Sequence, residues 1–151
     1  MIRFARYVLP LLALTAATPA FAQDWRIAAI SGAKPDRSVY LVDQAATVRN
    51  GSAITLTTQS IFEKLTEGRD FDRSVTRRFG DCTTMSSAII ENTYYANGYL
   101  KSKDKTKGNT IAHREGTVMY GVLAKACGQK PFEGNMLVNP ETAVRAYFAK
   151  P

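Results

Sequence analysis

Two cysteines, Cys82 and Cys127, are the only thiols in this chain, and they lie downstream of a segment that reads as an export address. Arg3 and Arg6 give a positive start, Val8 to Ala17 a short apolar stretch, and Ala20-Phe21-Ala22 a small-x-small cleavage site. The apolar stretch is broken by Pro10 and falls well short of the roughly 20 residues a helix needs to cross a bilayer. The expectation is a signal peptide over residues 1–22 and a mature chain from Gln23. A lipid anchor would call for Cys just after the cleavage point; Gln23 stands there, which predicts a soluble exported protein, periplasmic or secreted. In an oxidising compartment an even pair of cysteines reads as a disulfide. Closing a loop of about 45 residues is worth roughly 4 kcal/mol in the loop-entropy account. That is a large share of a net stability of about 5–15 kcal/mol. A metal site would draw three or four ligands at short spacing, whereas this chain has one histidine and widely separated cysteines. A structural Cys82–Cys127 disulfide is therefore predicted.

Removing 22 residues from 151 leaves 129, enough for one domain with one core. The whole chain has 20 Lys and Arg against 13 Asp and Glu, a net +7, which becomes +5 without Arg3 and Arg6. That mild excess suits an anionic partner but does not require one.

Local patterns divide the mature chain into β-rich runs followed by helices. Trp25 to Ile30, Ser38 to Asp43 and Thr47 to Arg49 read as strands, with a Gly-Pro turn over Gly32 to Asp36. Asn50-Gly51 then predicts a tight hairpin into a strand over Ala53 to Phe62. Gly68 to Asp72 is loop-like, and Ser74 to Cys82 reads as a strand in which Gly80 is expected to mark a bulge. Thr84 to Tyr95 fits either period, and its Thr-Tyr-Tyr end favours strand. Asn97-Gly98 signals a second hairpin. Over Thr117 to Ala126, Val118, Val122 and Ala126 recur every four residues beside Met119 and Leu123, which predicts an amphipathic helix capped by Gly128. Asn139 as N-cap and Pro140 at the first helical position announce a second, short helix. Strands followed by helices without regular alternation predict an α+β domain: an antiparallel sheet of about six strands with a C-terminal helix on one face.

The chemistry-bearing residues point away from catalysis. His113, flanked by Arg114 and Glu115, reads as a surface histidine with no companion nucleophile signature. Ser31 and Lys34 match a Ser-x-x-Lys pattern by chance, since the companion elements of penicillin-recognising enzymes are absent. Glu63 and Glu67 read as a solvated segment, and Asp70 and Asp72 lack the oxygen ligands and glycine of a calcium loop. No cofactor or metal is expected. The one surface feature that stands out is Lys101, Lys103, Lys105 and Lys107, alternating with Ser102, Asp104 and Thr106. In an extended chain this spacing aims four ammonium groups one way, as a grip for phosphate or sulfate or as a hydrated, aggregation-resistant arm.

Taken in order, several short motifs resemble the surface-adhesin protein E-like family of bacterial exported domains. They are Trp25 opening the first strand, Tyr40-Leu-Val-Asp43, Asp81-Cys82, Tyr95-Ala-Asn-Gly98, and Glu115-Gly-Thr117 leading a helix that ends at Cys127. The similarity covers about residues 24–128 and leaves Lys130 to Pro151 as an extension carrying the second helix. It implies an antiparallel sheet with one helix packed on it, a strand-to-helix disulfide, and a non-enzymatic role binding host extracellular proteins. The chain departs from the surface-anchored members in lacking their lipidation cysteine. The resulting expectation is an exported binding or structural module, whose partner is a macromolecule such as a protein or an anionic polymer. The alternative is a periplasmic housekeeping factor, such as an inhibitor or accessory of an envelope enzyme.

Overall fold

A computed structural model describes residues 23–150; the expected signal peptide over residues 1–22 lies outside the described residues. Six strands follow one another as an antiparallel meander: β1 (Trp25–Ser31), β2 (Ser38–Asn50), β3 (Ala53–Phe62), β4 (Arg73–Asp81), β5 (Ser86–Ala96) and β6 (Tyr99–Asp104). A two-residue strand, β7 (Ile111–Ala112), returns to pair with Ser86 and Ser87, so β6 and β7 share the outer side of β5. Two helices complete the α+β domain, α1 (Val118–Ala126) and α2 (Pro140–Ala149).

The predicted strands recur with three corrections. The runs Ser38–Asp43 and Thr47–Arg49 form one strand, because the register skips between Asp43 and Val48 without breaking the ladder. Asp43 holds this bulge by accepting from the Ala46 N–H, while its carbonyl accepts from the Thr47 hydroxyl. The first hairpin turns at Gly51-Ser52 rather than Asn50-Gly51, since Asn50 pairs with Ala53. Gly51 alone takes positive φ there, as a type II′ turn requires. At the second hairpin both Asn97 and Gly98 take positive φ, the type I′ geometry that the dipeptide favours. Gly80 sits in unbroken register opposite Ile54, and the irregularity lies between Arg77 and Arg78. Its lack of a side chain serves close approach: a Cβ would lie 2.9 Å from the Ser86 carbonyl oxygen and 3.4 Å from Leu123.

Alternation in β2 and β3 places a helix on each face of the sheet. Val42, Ile54 and Leu56 meet Val122, Leu123 and Ala124 of α1, together with Ala28 and Met85. Val39, Leu41 and Ile61, of opposite parity, meet Val144 and Phe148 of α2 along with Trp25. The first core matches the sequence-based expectation of a helix on one face; the second helix covers the other. Cys82, the first residue after β4, is bonded to Cys127 at the C-cap of α1, with their Cα atoms 5.7 Å apart. Thr117 caps α1, its hydroxyl accepting from the Tyr120 N–H, and Asn139 caps α2 by accepting from Thr142. No described helix is long and apolar enough to cross a membrane.

Candidate functional site

The two edges of the sheet are treated differently. At the start of β1, residues 134–137 lie against the edge: the Leu137 N–H donates to the Trp25 carbonyl, and the Arg26 side chain reaches the Gly134 carbonyl. Along β6, no described segment pairs with the outer side, and all six residues are exposed. Tyr99 and Leu100, at the start of this free strand, are 80% and 63% exposed.

Aromatic rings and arginines gather at the same end of the sheet. Phe71 packs between Phe62 and Tyr94, with ring centroids 5.7 and 4.7 Å away. The Arg69 guanidinium lies 4.0 Å over Phe62 and that of Arg73 lies 3.6 Å over Tyr95. Tyrosine and arginine are the residue types that dominate binding energy at interfaces, although here Arg69 is held by Asp36 and the Lys64 carbonyl and Arg73 faces Glu141. The sequence offered little warning of this cluster, because its members come from β3, the loop before β4, β4 and β5.

The lysine row does not form a single comb. A register shift between Tyr94 and Tyr95 displaces Lys101, whose ammonium pairs with Asp70 at 2.5 Å. Lys103 pairs with Glu91 at 2.6 Å. These contacts hold Asp70 and Glu91 below the usual carboxylate range, chiefly through the hydrogen bond from each lysine. Strand β6 ends at Asp104, so Lys105 and Lys107 fall in the following loop, exposed and outside the ladder. Half of the proposed anion grip is thus matched internally by acids.

His113 is half-buried rather than a surface residue. Its ring Nε2 lies 2.9 Å from the Ser87 hydroxyl and its backbone N–H donates to the Met85 carbonyl, which fastens the end of β7 to the start of β5. Burial, and then the positive charge of Arg78, push its pKa down. A serine beside a histidine has the outline of a nucleophile and base, but Ser87 is only 2% exposed, and among the described residues no carboxylate bonds the ring. The pair therefore acts as a clip between strands. Glu63 joins Arg37, Asp72 joins Arg145, Glu67 is exposed, and Lys34 donates to the Lys150 carbonyl. Among the described residues no group of three metal-ligating side chains assembles.

Comparison of the chain with protein-family models, with curated proteins and with solved structures finds no match. The resemblance to the protein E-like adhesins accordingly rests on the order of its sequence motifs.

Proposed function

We propose that this chain is an exported, non-enzymatic binding module that engages a macromolecular partner through the free β6 edge and the aromatic end of the sheet. The observation that carries this reading is the asymmetry between edges. The β1 edge is met at its Trp25 end by the protein's own chain, whereas among the described residues nothing pairs with the outer side of β6, which exposes Tyr99 and Leu100 near the Phe62–Phe71–Tyr94 cluster. A bare strand offers unpaired N–H and C=O groups for strand addition, and large exposed apolar side chains beside it supply burial of about 25 cal/mol per Å² on docking. The oxidised Cys82–Cys127 bond fits an exporting pathway. The resemblance to protein E-like adhesins points to the same kind of role.

The test is capture from host extracellular matrix and from envelope extracts by immobilised mature protein, with the double variant Tyr99→Ser/Leu100→Ser alongside. Recovery of one partner that is lost with the variant supports the reading; equal recovery with both proteins rejects this edge as the site. Adding protease to intact cells distinguishes the two roles. Digestion places the protein at the surface as an adhesin, and protection favours an accessory of an envelope enzyme. Replacing Lys101, Lys103, Lys105 and Lys107 by Ser and measuring retention on heparin tests the lysine arm separately.

A further inference from the structure

On the face that carries α2, a groove of about 350 Å³ runs between the first turn of the helix and the sheet. Its floor is built from Thr57 and Gln59 of β3, Val75 of β4 and Tyr95 of β5. Gln23 and Trp25 form one wall, and Asn139 and Pro140 the other. The volume is at the small end of the range of about 300–1,000 Å³ for small-molecule sites. Four strands and a helix start hold most of its lining, with only Gln23 and the N-cap Asn139 outside them, which is the arrangement that keeps a site in shape.

Gln59 is the residue that asks for an explanation. It is 4% exposed, yet among the described residues its side chain makes no hydrogen bond. A side-chain amide can donate twice and accept twice, and the Gln59 Oε1 and Nε2 are not among the fully enclosed polar atoms without a partner, so the head of this otherwise buried side chain opens to the groove. The neighbouring positions in its cross-strand row are Leu41 and Val75, so an apolar residue would suit the packing. Nearby polar groups are also only partly used. Asn139 spends its oxygen on capping Thr142, leaving its NH2 group uncommitted, and Gln23 accepts from the Trp25 indole with its oxygen alone.

The charges in the groove are already matched. Arg73 lies 3.1 Å from Glu141 and stacks on Tyr95, although its Nε–H is not aligned into a hydrogen bond. A matched ion pair gives no net pull on an anion or a cation. What is left is a set of neutral donors and acceptors (three amides and the Thr57 hydroxyl) beside the apolar surface of Val75, Pro140 and the part of Tyr95 that Arg73 does not cover, with Trp25, 4% exposed, adding little. Neutral polar groups between apolar walls match a ring that carries hydroxyls around its rim and C–H groups on its faces.

We infer that this groove is a binding site for a neutral saccharide of about one or two rings, with the Gln59 amide as its central hydrogen-bonding group. It is separate from the β6 edge and stands whether or not that edge binds a macromolecule. Trp25 is the only tryptophan of the chain and lines the groove, so under conditions where α2 stays docked its fluorescence and its indole N–H resonance report on this site.

The experiment titrates the mature protein with maltose, cellobiose, lactose and N,N′-diacetylchitobiose, with glucuronate and triglycine for comparison. The expected result is a saturable change at Trp25 with at least one neutral disaccharide, together with shifts in the Gln59 and Asn139 side-chain NH2 resonances. Gln59→Leu is expected to weaken that binding by about tenfold or more while leaving Tm unchanged or raised, since the amide has no protein partner to lose and Leu41 and Val75 flank it. Should Gln59→Leu fold poorly, Asn139→Asp serves instead: it keeps the cap on α2 but replaces the NH2 donor, and it too is expected to weaken binding. No response to any neutral disaccharide, a response to glucuronate or triglycine alone, or undiminished affinity in the variants would each overturn the inference.

Discussion

The two helices bind the same sheet by different physics. On its own face α1 buries Val122, Leu123 and Ala124, fits against Gly80, and is closed covalently by Cys127. On the other face α2 buries only Val144 and Phe148 and is held at both ends by arginines. Arg37 ion-pairs with Glu63 and donates to the Phe148 carbonyl, at the helix C-terminus where positive charge is favoured. Arg145 of the helix donates to the Phe62 carbonyl and pairs with Asp72, while Arg73 from the sheet meets Glu141 in the first turn. A helix with a continuous apolar stripe docks by burial, which salt and pH hardly touch. One with little apolar area depends on charge-assisted bonds, whose strength follows protonation.

The contrast breaks most visibly at the disulfide. Replacing Cys82 and Cys127 by Ala is expected to cost about 4 kcal/mol by chemical denaturation. Hydrogen exchange should then speed up first in α1 and the turn after β4, with α2 least affected. If α2 loosens first, the two docking modes are not independent. Next in size are two core truncations, Leu123→Ala at about 2–5 kcal/mol and Phe148→Ala at about 3–5 kcal/mol. The second should red-shift Trp25 emission, because Phe148 and Trp25 share one cluster, while the first leaves that emission in place.

Acid provides a gentler probe. The hydrogen bond from Arg37 holds Glu63 at about 2, well below its ordinary 4.5. Its stabilising contribution is therefore present above pH 4.5 and is lost as pH falls from there toward 2. Trp25 emission should report loosening of α2 in that window, and Glu63→Gln should remove much of the change. Asp81, held at about 2 by the Ser52 hydroxyl and the N–H groups of Thr84 and Thr83, titrates in the same range at the turn near α1. The Glu63→Gln comparison separates the two. The smallest effect belongs to His113. Its pKa lies below the ordinary 6.5, so the unfolded chain takes up the proton first and stability declines as pH drops below 6.5. His113→Gln should flatten that slope in denaturation curves measured between pH 7 and 5; a slope that persists assigns it to another group.

Much of the architecture was legible from short-range patterns. The strand over Ala53–Phe62, the Asn97-Gly98 turn, the caps at Asn139 and Gly128, and the Cys82–Cys127 pairing all follow from residues that act within a few positions or from a simple count of thiols. The misreadings share one cause. A lone glycine in a strand reads as a bulge at Gly80 because nothing nearby in sequence shows that a helix side chain, Leu123, lies over it. His113 looked exposed because its partner, Ser87, is distant in sequence. The lysine alternation over Lys101–Lys107 suggested one charged face, but the acids that match Lys101 and Lys103 come from elsewhere, at Asp70 and Glu91.

The amino-acid order alone thus determined the helices, most of the strands, the Asn97-Gly98 turn and which sulfurs join, since periodicity, caps and turn dihedrals are properties of neighbouring residues. Only the tertiary structure decided that the helices take opposite faces, that arginines clasp α2, that β6 is left bare, and that Gln59 is buried beside a groove. These depend on cross-strand register and on packing between segments far apart along the chain, where a shift of one residue turns every side chain to the other face.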